Sequence, residues 1–252
     1  MAHVSLISIT AVKSLALQHP DEVELTAEGV PENRRLYLVD DAGRLFNGTR
    51  HGPLVRIRPS YDDRSRRLAL AFPDGQVVEG DLNLGEAVET DFYGRSVRGS
   101  VVEGPWSTPL AGYAGAKVRL IRADHPGDAC DVHVATLVSE ASCAELARHA
   151  GADVDPRRFR MLLTLAGCEP HEEDRWIGHR VGVGDAVLRI AGPVPRCAVT
   201  TQDPVTGVPD VDTLRGIRAY RGLRDARYAD FGVYADVEQP GRVRVGDPVR
   251  PV

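Results

Sequence analysis

The chain has 252 residues, 42% of them hydrophobic and 27% charged, an ordinary globular composition with enough apolar content for a sizeable core. Its 31 Lys and Arg against 36 Asp and Glu give a formal net charge of −5, so a nucleic-acid partner, which selects a basic surface, is not expected. No apolar run approaches the roughly 20 residues of a membrane span, and Met1-Ala2-His3-Val4-Ser5-Leu6 puts no basic stretch ahead of an apolar one. Neither a membrane partner nor a secretory leader is therefore expected. Four cysteines (Cys130, Cys143, Cys168 and Cys197) without a C-x-x-C pair argue against a disulfide scaffold and a structural zinc site, and point to a reducing, cytoplasmic location.

Residues 4 to 12 read as a first strand, ending at Lys13-Ser14. Leu36 to Asp40 and Arg44 to Thr49 flank Asp41-Ala42-Gly43 and read as a hairpin. Leu54 to Arg58, Leu68 to Phe72, Val77 to Glu79 and Ala87 to Phe92 read as further short strands. Such strands, punctuated by turns like Pro73-Asp74-Gly75, suggest a barrel or sandwich. Glu103 to Gly115, rich in Gly and Pro, reads as a domain junction. Val118 to Arg122 and Val132 to Leu137 are apolar runs. Ser142 and Glu145 form a capping box for a helix that Gly151 stops. Arg160 to Leu165 reads as a buried strand. Asp212 caps a second helix, Thr213 to Leu223, on which Leu214, Ile217 and Tyr220 recur at helical spacing. Val181 to Val187 and Val243 to Val249 echo each other as two strand–Gly-Asp–strand hairpins.

The most informative stretch is Pro193-Val194-Pro195-Arg196-Cys197-Ala198-Val199-Thr200-Thr201-Gln202-Asp203-Pro204-Val205-Thr206-Gly207. A strand from Val187 to Ile190 leads into Pro-x-Pro, which delivers one arginine and one cysteine, and Asp-Pro-x-Thr-Gly then turns the chain. Taken alone, Cys197 is either a buried, inert thiol or a reactive one. Adjacent Arg196 favours the thiolate, the form that attacks electrophiles and binds soft metals, and Thr200, Thr201 and Thr206 add hydroxyls. Cys143 falls in a helix, Cys168 before a Glu-Pro turn, and Cys130 in a polar, exposed setting beside Asp131 and near His133.

Arg157-Arg158-Phe159-Arg160 is either a solvated edge strand or an anion site. On a strand Arg158 and Arg160 would share a face, and two guanidinium forks suit a phosphate or carboxylate. Lys13-Ser14 and Asn33-Arg34-Arg35 are each ordinary surface when taken singly; together they make cations at strand ends that suit an anion pocket. The eight histidines show no metal-ligand spacing. No G-x-S-x-G, P-loop or strand-borne G-x-G-x-x-G occurs, so a serine hydrolase, a P-loop NTPase and a dinucleotide dehydrogenase are poorly supported.

At these residues the chain resembles the MOSC family, named for the C-terminal domain of molybdenum cofactor sulfurase, and within it the two-part amidoxime-reducing members. Arg196 to Gly207 is similar to R-C-x-x-T-T-x-D-P-x-T-G. Arg158-Phe159-Arg160 is similar to the start of R-F-R-P-N, Val12-Lys13-Ser14 to P-x-K-S, and Gly29 to Asp40 to G-x-x-x-D-R-x-x-x-x-V-D. Phe231 to Ala235 and Val245 to Val249 fit the closing strands. Met161-Leu162 replaces the family's Pro-Asn, Asn33 its Asp, and Val194 a frequent second cysteine.

The resemblance implies a mainly β fold with a few helices (α+β), divided into an N-terminal β-barrel-like domain at 1–104 and a MOSC β-barrel domain at 105–252. It implies a molybdenum cofactor, a pterin dithiolene carrying the metal, with Cys197 as metal ligand and catalytic centre. Lys13, Ser14, Arg34, Arg158 and Arg160 would bind the pterin and its phosphate, with Arg196, Thr200 and Thr201 lining the site. The implied activity is reduction of N-oxygenated small molecules with electrons from a separate electron-transfer protein. A sulfur carrier using a Cys197 persulfide and a non-catalytic cofactor-binding module are the alternatives.

Overall fold

The computed structural model describes residues 1–252. Most of the second half folds into a seven-stranded sheet. Its spatial order is His3–Ile7, Leu163–Ala166, Ala135–Ser139, Asp230–Gln239, Ala186–Pro195, Arg180–Val183 and Val249–Pro251. Every pairing is antiparallel except that of Ala135–Ser139 with Leu163–Ala166. Those two strands are joined by a crossover through helix α1 (Glu140–Ala150), the kind of connection a parallel pair requires. The sheet ends meet: Val4 N donates to Asp247 O at 2.9 Å, Gly246 N to Val4 O at 2.8 Å and Val249 N to Ala2 O at 2.9 Å. The sheet is thereby wrapped into a barrel with its edges covered. Strict alternation fills it; Ala186, Leu188 and Ile190 point inward from one strand while Arg189 points out. The 21 residues of this core include Val4, Ile7, Val23 and Leu25, drawn from the beginning of the chain.

A second core of 17 residues lies in a five-stranded sheet, ordered Leu45–Phe46, Leu36–Asp40, Val118–Ala123, Arg95–Glu103 and Asn83–Phe92, and a three-stranded one, Arg58–Asp62, Arg67–Ala71 and Val77–Asp81. Strand membership does not follow chain order. His3–Ile7 belongs to the large barrel, Glu22–Leu25 pairs with Gly241–Arg244, and Val118–Ala123 sits between two strands of the first half. No helix is long and apolar enough to cross a membrane.

Several local expectations are corrected. The Gly- and Pro-rich stretch Glu103 to Gly115, for which no helix was expected, holds the helix Ser107–Ala114, with Trp106 and Leu110 at 1% and 0% exposure in the second core. Burying an indole outweighs the turn-forming composition around it. Leu54 to Arg58 is mostly a 3-10 turn, Gly52–Arg56, started by Pro53. The first strand stops at Ile7, beyond which only single bridges occur at Ile9 and Val12. Helix α1 is capped by Ser139, not Ser142. Ser139 Oγ accepts from Ser142 N at 3.1 Å, and Ser142 Oγ is instead committed to buried Glu173 at 2.7 Å. The Val243 to Val249 echo is not a hairpin, since its two strands pair with different partners. Helix α2 (Thr213–Arg221) does begin at Asp212, whose carboxylate accepts from Arg215 N at 3.0 Å. Gly216 lets it lie close on α1, because a Cβ there would press on Leu146.

Candidate functional site

Cys197 leaves the end of the strand Ala186–Pro195, where the register slips twice around Gly192 and Pro193–Pro195. Arg196 N still donates to Ala229 O at 2.8 Å, so the chain is held up to the residue before the thiol. Cys197 then stands at the head of a 3-10 turn, Ala198–Thr201. Thr200 Oγ1 donates to Cys197 O at 3.1 Å and lies 2.8 Å from Thr213 Oγ1, tying the turn to α2. Asp203 accepts from Val205 N, Thr206 N and Thr206 Oγ1 at 3.1, 2.7 and 2.9 Å. Gly207, at φ 74°, packs backbone to backbone on Gly52. Gln202 Nε2 donates to Gly48 O at 2.9 Å. The segment is therefore bolted to both halves of the molecule.

Cys197 is the exposed thiol of the chain; Cys143 and Cys130 are buried and Cys168 is half-buried. Burial pushes the Cys143 thiol far up and Cys168 up to about 12, so both stay protonated. Cys130, expected to be exposed, is 4% exposed.

The cleft beside Cys197 has about 810 Å³ of empty space, its open mouth included. Seven of the expected residues line it: Lys13, Ser14, Arg34, Arg160, Arg196, Cys197 and Thr200. Lys13 Nζ donates to Asp131 Oδ1 at 2.7 Å and Ala129 O at 2.9 Å. Burial lowers its pKa, Asp131 opposes that, and the charge of Arg34 adds to the lowering. Burial would raise Asp131, but Lys13 and Arg34 outweigh it and hold the carboxyl below its usual value. Arg34 Nη2 donates to Arg160 O at 2.7 Å and Arg160 Nη2 to Leu15 O at 2.6 Å, so two distant segments interlock through their guanidinium groups. Burial and then the charge of Arg34 push Arg160 down to about 9. Arg196 spreads over Phe159, 5.1 Å from the ring centre, and donates to Phe231 O at 2.8 Å and Phe159 O at 3.2 Å. Arg34, Arg160 and Arg196 bond only to neutral acceptors, and none forms an ion pair. Three guanidinium groups outside any ion pair thus share the cleft with a single carboxylate, Asp131, which Lys13 already holds, a charge balance that suits an anion.

Arg158 and Thr201 are not part of the lining. The segment expected as a strand is a 3-10 turn, Pro156–Phe159, set by Pro156 and by Asp155 accepting from Arg157 N at 2.8 Å. Arg160 follows at φ 51°, and the strand starts only at Leu163. Arg158 and Arg160 therefore do not share a strand face. Arg158 turns its fork to Asp210, at 2.5 and 2.7 Å, while Thr201 Oγ1 donates to Ala198 O at 2.7 Å.

Sequence reasoning missed Asn47, Tyr93, Asp131, His133 and Tyr234, which also line the cleft. Their only signal is backbone strain or pairing that appears after folding. His133 Nδ1 lies 2.7 Å from Asp236 Oδ1, with its ring 5.2 Å from that of Tyr234. Eight non-glycine residues have positive φ, and four of them, Ser14, Arg34, Tyr93 and Arg160, line this one cleft. Disfavoured dihedrals of this kind persist only where the surrounding structure over-determines them, and here they gather around one cleft.

No group of three or more His, Cys, Asp or Glu side chains is placed to hold a metal ion. The cleft offers one accessible soft sulfur donor and an array of cations. That donor set suits a metal arriving with other ligands already attached, on an anionic carrier that the arginines can grip.

The family model described as the MOSC domain matches residues 124–250. Mitochondrial amidoxime reducing component 2 of Rattus norvegicus is 37% identical over 120 residues, covering 45% of this chain and 35% of that protein. The chain thus matches about a third of the length of this and several other mammalian relatives. Mitochondrial amidoxime-reducing component 1 of Xenopus laevis is 27% identical over an aligned length of 281, covering 98% of this chain and 81% of that protein. Among solved structures, the YuaD protein from Bacillus subtilis aligns over 98% of this chain and 93% of its own, at 14% identity and a TM-score of 0.48. YiiM from Geobacillus stearothermophilus aligns over 48% and 54%, at 20% identity and a TM-score of 0.36. With half of its length matched by the family model, and with Cys197 at the head of its turn inside that half, the chain belongs to the MOSC domain family.

Proposed function

We propose that this protein is a molybdenum-cofactor-dependent oxidoreductase that reduces N-oxygenated small molecules, with electrons from a separate redox protein. The observation that carries the reading is the pairing of one exposed thiol, Cys197, with three arginines that form no salt bridge in the same cleft. Cys197 would supply the protein's sulfur to the metal. Arg34 and Arg160, interlocked and outside any ion pair, would hold the anionic part of the pterin, with Lys13 and Ser14 beside them. Arg196 braces Phe159 and Phe231 behind the site and keeps the thiol's neighbourhood positive. Thr200 fixes the carbonyl of Cys197 and so the direction of its side chain. When bound, such a cofactor supplies a two-electron couple able to take oxygen from an N–O bond. The amidoxime-reducing names of the relatives favour an N-hydroxylated substrate class.

The test is molybdenum analysis with absorbance spectroscopy on protein from a host that makes the cofactor, beside Cys197→Ser. Reduction of an N-hydroxyamidine is then followed with reduced viologen as electron source. Near-stoichiometric metal, altered spectra in Cys197→Ser and loss of its turnover are expected. Metal-free folded protein that carries sulfane sulfur on Cys197 would replace this reading with sulfur transfer.

A further inference from the structure

The hairpin formed by Asn83–Phe92 and Arg95–Glu103 ends in a loop of only two residues, Tyr93 and Gly94, because Phe92 pairs directly with Arg95. Both have positive φ, 57° and 91°. That is the two-residue turn which Asn, Asp or Gly occupies at little cost, and in which a Cβ-bearing aromatic residue at the first position is strained. Asp91 Oδ1 accepts from Gly94 N at 2.8 Å, and Arg95 Nη2 donates to Asp128 O at 2.7 Å and Cys130 O at 2.6 Å, so the tip is tied to the loop that carries Asp131.

The strained residue is also misplaced by ordinary burial rules. Tyr93 is 69% exposed although it belongs to the lining of the Cys197 cleft. Its hydroxyl reaches inward and accepts from Asn47 Nδ2 at 2.9 Å, which leaves the phenol proton free to donate. Desolvation of the hydroxyl against the cleft wall, followed by the charge of Asp131, pushes this phenol up to about 12, so it stays protonated. An aromatic ring held at a disfavoured dihedral, exposed, and anchored by its own hydroxyl serves neither the turn nor a core. Tyr234 and His133 supply a second aromatic surface in the same cleft.

We infer that Tyr93 is a specificity-determining residue: its ring forms the rim of an aromatic subsite that stacks on the flat, conjugated body of an N-hydroxylated substrate. The inference rests on the proposed function and names the kind of substrate that this site selects. A planar aryl or heteroaryl N-hydroxyamidine gains a stacking partner at the rim, whereas a small aliphatic one presents no flat face and gains nothing.

The experiment compares wild type, Tyr93→Asn and Tyr93→Phe with benzamidoxime and acetamidoxime, which share the N-hydroxyamidine head and differ in the ring. Steady-state reduction is driven by reduced viologen. Binding of both compounds is measured calorimetrically without electron donor, and thermal unfolding is measured on metal-free protein. Tyr93→Asn relieves the turn, so Tm should rise by about 2 °C or more. It should also raise the ratio of the benzamidoxime KM to the acetamidoxime KM by about 3- to 10-fold, the loss of one aromatic contact. Tyr93→Phe, which keeps the ring, should restore the ratio. An unchanged ratio in Tyr93→Asn, or equal loss for both compounds, overturns the inference. If wild-type protein reduces neither compound, the proposed function fails, and the calorimetric ratio, which needs no turnover, decides whether Tyr93 stacks on a flat ligand.

Discussion

Arg158 separates a cofactor role from a structural one. Its side chain is 5% exposed and its fork is closed on Asp210, whose side chain is 41% exposed. Breaking one side of a fully buried pair costs ~3–5 kcal/mol, and of an exposed pair ~0–1. The mixed environment places Asp210→Asn at about 2 kcal/mol, because it strands a buried guanidinium whose Nε already lacks a partner. Arg158→Met should cost less, about 1 kcal/mol, since the carboxylate it frees can rehydrate. For a chain of this size the corresponding Tm losses are about 4–8 °C and about 2–4 °C. The hydrogen bond from Arg158 holds the Asp210 carboxyl below its usual value, with burial opposing. A depressed carboxyl stabilises the fold above its unfolded pKa of ~3.9, and this contribution is lost as pH falls through the lowered folded value. The Tm gap between wild type and Asp210→Asn should therefore be full at neutral pH and close in acid. Calorimetry or circular dichroism measures the Tm values, and metal analysis should show both variants loaded like wild type. A wild-type Tm together with lost metal in Arg158→Met would refute the reasoning and make Arg158 an anion ligand.

Two further predictions concern the frame behind the site. Glu173 is fully buried and its Oε2 has no partner; burial raises its pKa, against hydrogen bonds from Ser142 and Ser139. A raised carboxyl stabilises the fold below its unfolded pKa of ~4.3 and loses that contribution as pH rises through the folded value. Glu173→Gln should therefore gain Tm relative to wild type as pH is taken from about 5 to about 8; parallel Tm curves would show that the group does not titrate there. Gly207→Ala puts a Cβ into the Gly52 carbonyl at a positive φ, so about 2–4 kcal/mol should be lost. Cys197 would be re-aimed with the turn, so metal content should fall with Tm; a stable, fully loaded Gly207→Ala would contradict the bolted-segment account.

Some of the site is legible in the sequence because its chemistry is local. Asp203 to Gly207 and Asp212 before α2 act within three or four residues, through side chain to backbone hydrogen bonds and permitted dihedrals. Pro193 and Pro195 likewise announce a stiff segment leading to Cys197. The shared strand face of Arg158 and Arg160 was misjudged for a reason of the same kind: Pro156 and Asp155 wind the chain into a 3-10 turn, and the two guanidinium groups then divide between Asp210 and the cleft. Ser142 misled because a nearer competitor, Ser139, takes the cap once Glu173 claims the Ser142 hydroxyl.

By itself the sequence determined a β-rich chain with a few helices, an arginine–cysteine segment fixed by Pro, Asp and Gly, and cations gathered at strand ends. Only the tertiary structure decided which cations share a cleft. Lys13 meets Asp131 across 118 positions, Arg34 meets Arg160 across 126, and His133 meets Asp236 across 103. The strained Tyr93 joins them from the tip of a hairpin in the other half. Local propensity fixes dihedrals over a few residues, whereas these meetings depend on strand register and on a barrel completed by the first strand of the chain, both set by burying two separate cores.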